Sequence, residues 1–241
     1  GYDARRHRAH AARWPEALAV ARLAVEAKGT SPVAPMPSAA SVERRVEIEF
    51  DAEPALASGY HKPTIGHPDD FVFDVSDEVL TEGVTSRLYS TLVRDKRLAA
   101  SVLSDTNYPG VRAPNLFVIA ATPLAPHTTP EVESAIYGEL DRLKAEPIST
   151  KEFERVLNGL DADLVRSLRS NSGLASQLAF YQTVAGTWRY VLNARDRIAA
   201  VTPADVQRVA AQYLTKPNRT VGVLVKKAQD KKMAAAGEVA R

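Results

Sequence analysis

Between residues 129 and 214 the apolar side chains recur at helical spacing, while the segments on either side of that run alternate with a period of two. This change of period restricts the fold more than any other feature. Residues 42–50 put Val46, Ile48 and Phe50 on one side and Arg45, Glu47 and Glu49 on the other, the pattern of a half-buried strand. Residues 55–61, a stretch opening at 100–104 and the strongly apolar 116–122 give three more strands, and 220–225 gives a last one. The order is β-β-α-α-β-β-α-α-α-α-α-β. Hairpin-joined strands and a run of helices predict an α+β domain, a mostly antiparallel sheet with helices layered on one face, rather than a doubly wound parallel fold.

Local signals place the helices. Thr129 is the expected N-cap of the first long helix, with Pro130 at its first position and Val132, Ile136, Leu140 and Leu143 inward. Ser149 and Glu152 form a capping box before Phe153, Val156, Leu157, Leu160, Leu164 and Leu168. Two helices follow over 171–186 and 187–200, and Thr202-Pro203-Ala204-Asp205 opens the last, which buries Val206, Val209, Ala210, Tyr213 and Leu214. Residues 69–109 hold a helical hairpin leading into a strand. Phe71, Val72, Val75 and Val79 line its first helix, Gly83 ends it, and Thr85 or Ser86 caps the second. That second helix carries Leu88, Tyr89, Leu92 and Val93 on its oily face, with Arg87, Arg94, Asp95 and Lys96 off it.

Composition shifts mark the boundaries. Residues 1–28 form a basic, alanine-rich segment of possible helical character, 29–41 a proline-rich linker, 42–226 the folded domain and 227–241 a frayed tail. The net charge is only +2 over 241 residues, and the positive runs at the two ends read as solvated tails, so no nucleic-acid partner is expected. The chain has no cysteine, which excludes thiolate catalysis, thiolate metal sites and disulfides. No apolar run approaches the roughly 20 residues of a membrane helix. Residues 17–25 imitate a signal peptide, but Glu16, Arg22 and Glu26 interrupt or flank them.

Catalytic motifs are missing. His7 and His10 lie among arginines that repel a cation, and His61 and His67 flank the Pro63 loop with no third ligand, so no metal site is expected. There is no HxxEH, no phosphate loop, no GxGxxG and no GxSxG. Asp69-Asp70 sits where a helix N-terminus favours acids, and Asp161 with Asp163 fits a polar helix face.

Six blocks in register carry a resemblance: ERRVEIEFDAEPAL, GYHKP, HPDD, EGVTSRLYSTLV with RDKRLAASV, NLFVIAATPL and RTVGVLV. Over about residues 42–226 the chain resembles the C-terminal half of the pitrilysin-type zinc metallopeptidases, which include insulinase-like and mitochondrial-processing-peptidase-like proteins, and most of all their bacterial two-domain members. The resemblance implies two homologous halves closing around a peptide. One half, absent here, carries HxxEH and binds zinc; the other helps to hold substrate. It implies no cofactor in this chain, an HxxEH-bearing domain or subunit and a peptide as partners, and export to the periplasm or cell envelope. It also implies a substrate-facing arginine, matched by Arg94. The tyrosine about seven residues further on in relatives is replaced here, where Ala100 and Ser101 stand. Arg87 and Tyr89 complete the candidate substrate-binding set, each with an alternative: Arg87 as a solvated or helix-bridging cation, Tyr89 as a core aromatic. The alternative function is an inactive structural or partner subunit of a processing-peptidase-like or respiratory core-like complex.

Overall fold

The computed structural model describes residues 42–113 and 115–226. The basic segment, the linker and the tail lie outside them. The elements are β1 (Arg44–Phe50), β2 (Ala55–Lys62), α1 (Pro68–Leu80), a π-helix (Tyr89–Asp95), β3 (Ala99–Tyr108), β4 (Asn115–Pro123), α2 (Thr129–Ala145), α3 (Thr150–Leu168), α4 (Asn171–Val184), α5 (Tyr190–Ala199), α6 (Pro203–Tyr213) and β5 (Arg219–Lys226). This is the α+β order expected from the periodicity.

The five strands run β1-β5-β2-β4-β3 across one sheet. The β2–β5, β2–β4 and β3–β4 pairs are antiparallel, whereas β1 lies parallel to β5. Register puts Leu56, Tyr60, Phe117, Ile119, Val221 and Val223 on the helix-covered face, where all are buried. From the helices, Phe73, Leu80, Ile136, Leu140 and Val206 complete the core. Phe73 is fully enclosed between Phe117 and Tyr213, with ring centroids 5.6 and 5.5 Å away. A side chain of that size so enclosed contributes roughly 2–3 kcal/mol by transfer alone.

Strand β1 departs from expectation. It is exposed along its whole length, and its apolar residues point away from the helix layer, with Val46 at 52 %, Ile48 at 56 % and Phe50 at 62 % exposure. The parallel register explains the reversal. Arg45 and Glu47 align with the core-facing Val221 and Val223, so Val46 and Ile48 fall on the opposite side with Gly222 and Leu224. At the sheet edge the helix side is polar: Arg45 donates two hydrogen bonds to Glu133 of α2, at 2.8 and 2.7 Å.

Caps and packing differ in detail. Thr128, not Thr129, is the N-cap of α2, in a reciprocal box with Glu131, because Pro130 then falls inside the first turn. Ser149 caps α3 by accepting from the Glu152 amide, but the Glu152 carboxylate is drawn away to Arg87. Along α3 only Val156 is fully buried, and on α4 no residue is. Leu164 and Leu168, expected inward, are half-buried because the C-terminal half of α3 packs on α4 and α5 rather than on the sheet. Among the described residues no helix is long and apolar enough to cross a membrane.

Candidate functional site

Gly83 takes φ +78°, a conformation that favours glycine, and turns the chain from α1 into the second half of the hairpin. Neither Thr85 nor Ser86 caps that half as expected. Ser86 is buried and its hydroxyl donates back to the Gly83 carbonyl at 2.8 Å. After one helical turn the backbone widens into the π-helix: the Lys96 amide donates to Thr91 O at 3.1 Å, five residues back, and Leu98 to Leu92 O at 2.7 Å. Leu88 and Leu92 anchor this segment in the core. Arg97 then takes φ +53°, the left-handed region that is unfavourable for a side chain with a β-carbon. Wide turns and such outliers concentrate at functional sites. Here the wide turn, which contains Arg94, and the Arg97 outlier lie on either side of Lys96, ahead of the start of β3.

The three nominated residues have different surroundings. Arg94 is exposed and forms a two-pronged pair with its neighbour Asp95, at 2.7 and 3.1 Å. Water screens both charges of an exposed pair of this kind, so the guanidinium is easily released to another acceptor. Arg87 is committed instead. It donates to both oxygens of Glu152 at 2.9 Å, and the side chains are only 14 % and 21 % exposed, so it ties the hairpin to α3 in the helix-bridging role. Tyr89 is half-buried against the core. Ala100 and Ser101 stand exposed at the start of β3, an edge strand with unpaired backbone groups.

A second feature lies on the face of the sheet away from the helices. There Val46, Ile48 and Phe50 of β1, Leu224 of β5 and Leu103 of β3 are half-buried or exposed, and among the described residues no helix covers them. Monomeric domains seldom leave a contiguous apolar face of this kind open to water.

Beyond the Asp69-Asp70 pair, sequence reading passed over a partly buried polar row. Asp70, Asp74 and Asp77 stand at i, i+4 and i+7 on α1, a spacing that places them on one face. Wholly buried Lys62 reaches this row from β2 and donates to Asp70 at 2.5 Å and to the Thr106 carbonyl at 2.8 Å. Asp77 accepts from Ser104. Burial, more than any neighbour, pushes Asp74 up to about 7 and Asp77 up to about 6, despite the favourable Lys62 charge. Asp69 points elsewhere, to Arg208 at 2.7 Å and Tyr213 at 3.0 Å. Burial raises its pKa, but those two donors outweigh that effect and its carboxyl stays below the usual range. The signal available in sequence was the i, i+4, i+7 repeat of acids beside the apolar stripe of the same helix. Among the described residues no three His, Cys, Asp or Glu side chains converge as a metal site.

The family description "Peptidase M16 inactive domain" matches residues 13–160, beginning inside the basic N-terminal segment. The zinc protease PqqE of Helicobacter pylori is 27 % identical over 158 residues, covering 66 % of this chain and 35 % of that protein. A solved protease from Helicobacter pylori superposes with a TM-score of 0.73 at 25 % identity, over 78 % of this chain and 45 % of that one. An inactive peptidase domain from Bordetella parapertussis gives 0.64 at 27 % identity, over 73 % of this chain and 94 % of its own. The chain thus spans about a third of the curated relative and under half of the first solved one. With the matched segment covering more than half of its length, this chain belongs to the peptidase M16 inactive-domain family.

Proposed function

We propose that the chain is the zinc-free half of a metalloendopeptidase, which closes a chamber against an HxxEH-bearing half and holds an extended peptide for hydrolysis there. The observation that carries this reading is the apolar sheet face bearing Val46, Ile48 and Phe50, which no helix among the described residues covers and which a second domain would remove from water. The described residues do not fit a zinc ion, so zinc and the water it activates belong to the partner half, and no step of the chemistry is assigned to this chain. Its own contribution is binding. A peptide adding to the β3 edge gains main-chain hydrogen bonds with little demand on its sequence. Arg94, released from Asp95, supplies a charged donor beside that edge, while Arg87 and Tyr89 fix the hairpin that presents it. Export to the periplasm or cell envelope goes with this reading.

The replacement of the relatives' tyrosine by Ala100 and Ser101 favours a second reading, an inactive structural subunit. One assay separates them. Adding the chain to a separately made HxxEH half should raise cleavage of a quenched peptide, and Arg94→Ala should lower kcat/KM about tenfold. No gain over the catalytic half alone would reject the peptidase reading in favour of the structural one.

A further inference from the structure

Lys62 brings one positive charge to three carboxylates, Asp70, Asp74 and Asp77. It satisfies Asp70 at 2.5 Å, while Ser104 serves Asp77. Asp74 is left with one long hydrogen bond, from the Thr106 hydroxyl at 3.4 Å. Protein packs densely around Asp74, and the surface that it keeps opens into a cavity of about 140 Å³ shared with Asp70, Phe71, Asn107, Tyr181 and Tyr190.

The rings form a continuous stack. Phe71 lies 5.7 Å from Tyr190 with planes 15° apart, and Tyr190 lies 5.1 Å from Tyr181 with planes 26° apart. Exposed Phe180 and Asn107 stand at the mouth, so the cavity is reachable from solvent. Aromatic walls beside an uncompensated carboxylate are the chemistry that takes a weakly hydrated cation. A divalent metal is a poor fit, because it requires six or more oxygen ligands or a convergent cluster, and no such cluster forms among the described residues. The volume admits the end of one basic side chain; drug-sized ligands need roughly 300 Å³ or more.

We propose that this cavity, between α1 and the α4–α5 hairpin, binds a single organic cation, an alkylammonium or guanidinium group, with Asp74 as counter-ion and the stacked rings as walls. The site is complete within this chain and does not depend on a peptidase partner. Charged and titratable groups facing Asp74 are Asp70 and Asp77 on α1, Lys62 from β2, and Tyr181 and Tyr190 from α4 and α5, with Arg197 over the Phe71 ring. Burial holds Asp74 partly protonated near neutrality, so cation binding displaces a proton and strengthens from pH 6 to pH 8.

The test is an NMR titration of the full chain, following the ring resonances of Tyr181 and Tyr190. N-acetyl-arginine amide, n-butylammonium and guanidinium are the cations, and N-acetyl-citrulline amide is the uncharged control. The cations should shift both tyrosines with Kd on the order of 1 mM, and citrulline should not. Asp74→Asn should weaken binding about tenfold or more with no loss of melting temperature. If that variant fails to fold, Tyr181→Leu, on a helix with no buried residue, carries the same expectation. Tighter binding of the arginine derivative than of free guanidinium assigns the site to peptide side chains; equal binding assigns it to small free cations; both uphold it. Equal shifts from citrulline, no shift by any cation at tenfold the expected Kd, or undiminished binding by the folded variant would overturn the proposal.

Discussion

Asp74 sets the pH behaviour expected of the folded chain. In an unfolded chain this carboxyl ionises near 4, whereas in the fold burial pushes it up to about 7. Between those values the folded state holds more protons than the unfolded state, so stability falls as pH rises from about 4 to about 7 and stays reduced above. Asp77, pushed up to about 6, adds in the same direction over a narrower window. Urea denaturation at pH 5 and pH 8 measures this. Asp74→Asn should be more stable than the parent at pH 8, by on the order of 1–3 kcal/mol, and nearly equal to it at pH 4. Lys62 cannot neutralise the whole row, because its contacts go to Asp70 and a carbonyl. The unfavourable charge is retained at a cavity, which is where a ligand would offset it.

The hairpin is where backbone strain and the proposed peptide contact meet among the elements. Arg97 occupies a left-handed backbone position at the exit of the π-helix. Arg97→Gly should therefore raise stability by about 0.5–1 kcal/mol, measured by thermal or urea unfolding, since glycine takes this conformation without steric penalty. The apolar repeats were legible in sequence because burial writes them directly: Phe71, Val75 and Val79 on α1, and Val132, Ile136 and Leu140 on α2, are all buried. The π-helix was not legible, because a widened turn depends on how Leu88 and Leu92 seat in the core and leaves no change in apolar spacing. The face of β1 was misread for a related reason. Alternation at Val46, Ile48 and Phe50 tells which residues share a side, but only the pairing with β5 decides which side meets the helices. At the candidate site, Arg94 was nominated through resemblance alone. The partners of Arg87 and the Lys62–Asp70–Asp74 group come together across 65 and 8 or more residues of sequence, by contacts that no local pattern records.

At the scale of the whole molecule, one layer of helices covers one side of a five-stranded sheet, and the described residues leave the other side apolar and open. Small domains depend on burying most of their apolar surface, and an uncovered sheet face reads as half of an interface. The two Helicobacter pylori relatives are roughly two to three times as long as the part this chain spans, whereas the Bordetella parapertussis domain is spanned almost whole. The edge clamp from Arg45 to Glu133, reinforced by Arg219 between Glu43 and the Tyr137 ring, holds β1 in place so that its apolar side is presented rather than folded inward. Sedimentation velocity on an equimolar mixture of this chain with a separately made HxxEH-bearing half tests the central claim most directly. The account predicts a one-to-one complex with a Kd on the order of 1 µM or tighter, lost when Ile48→Glu places a charge on the open sheet face. No complex at all, or a complex that Ile48→Glu leaves unchanged, would contradict it.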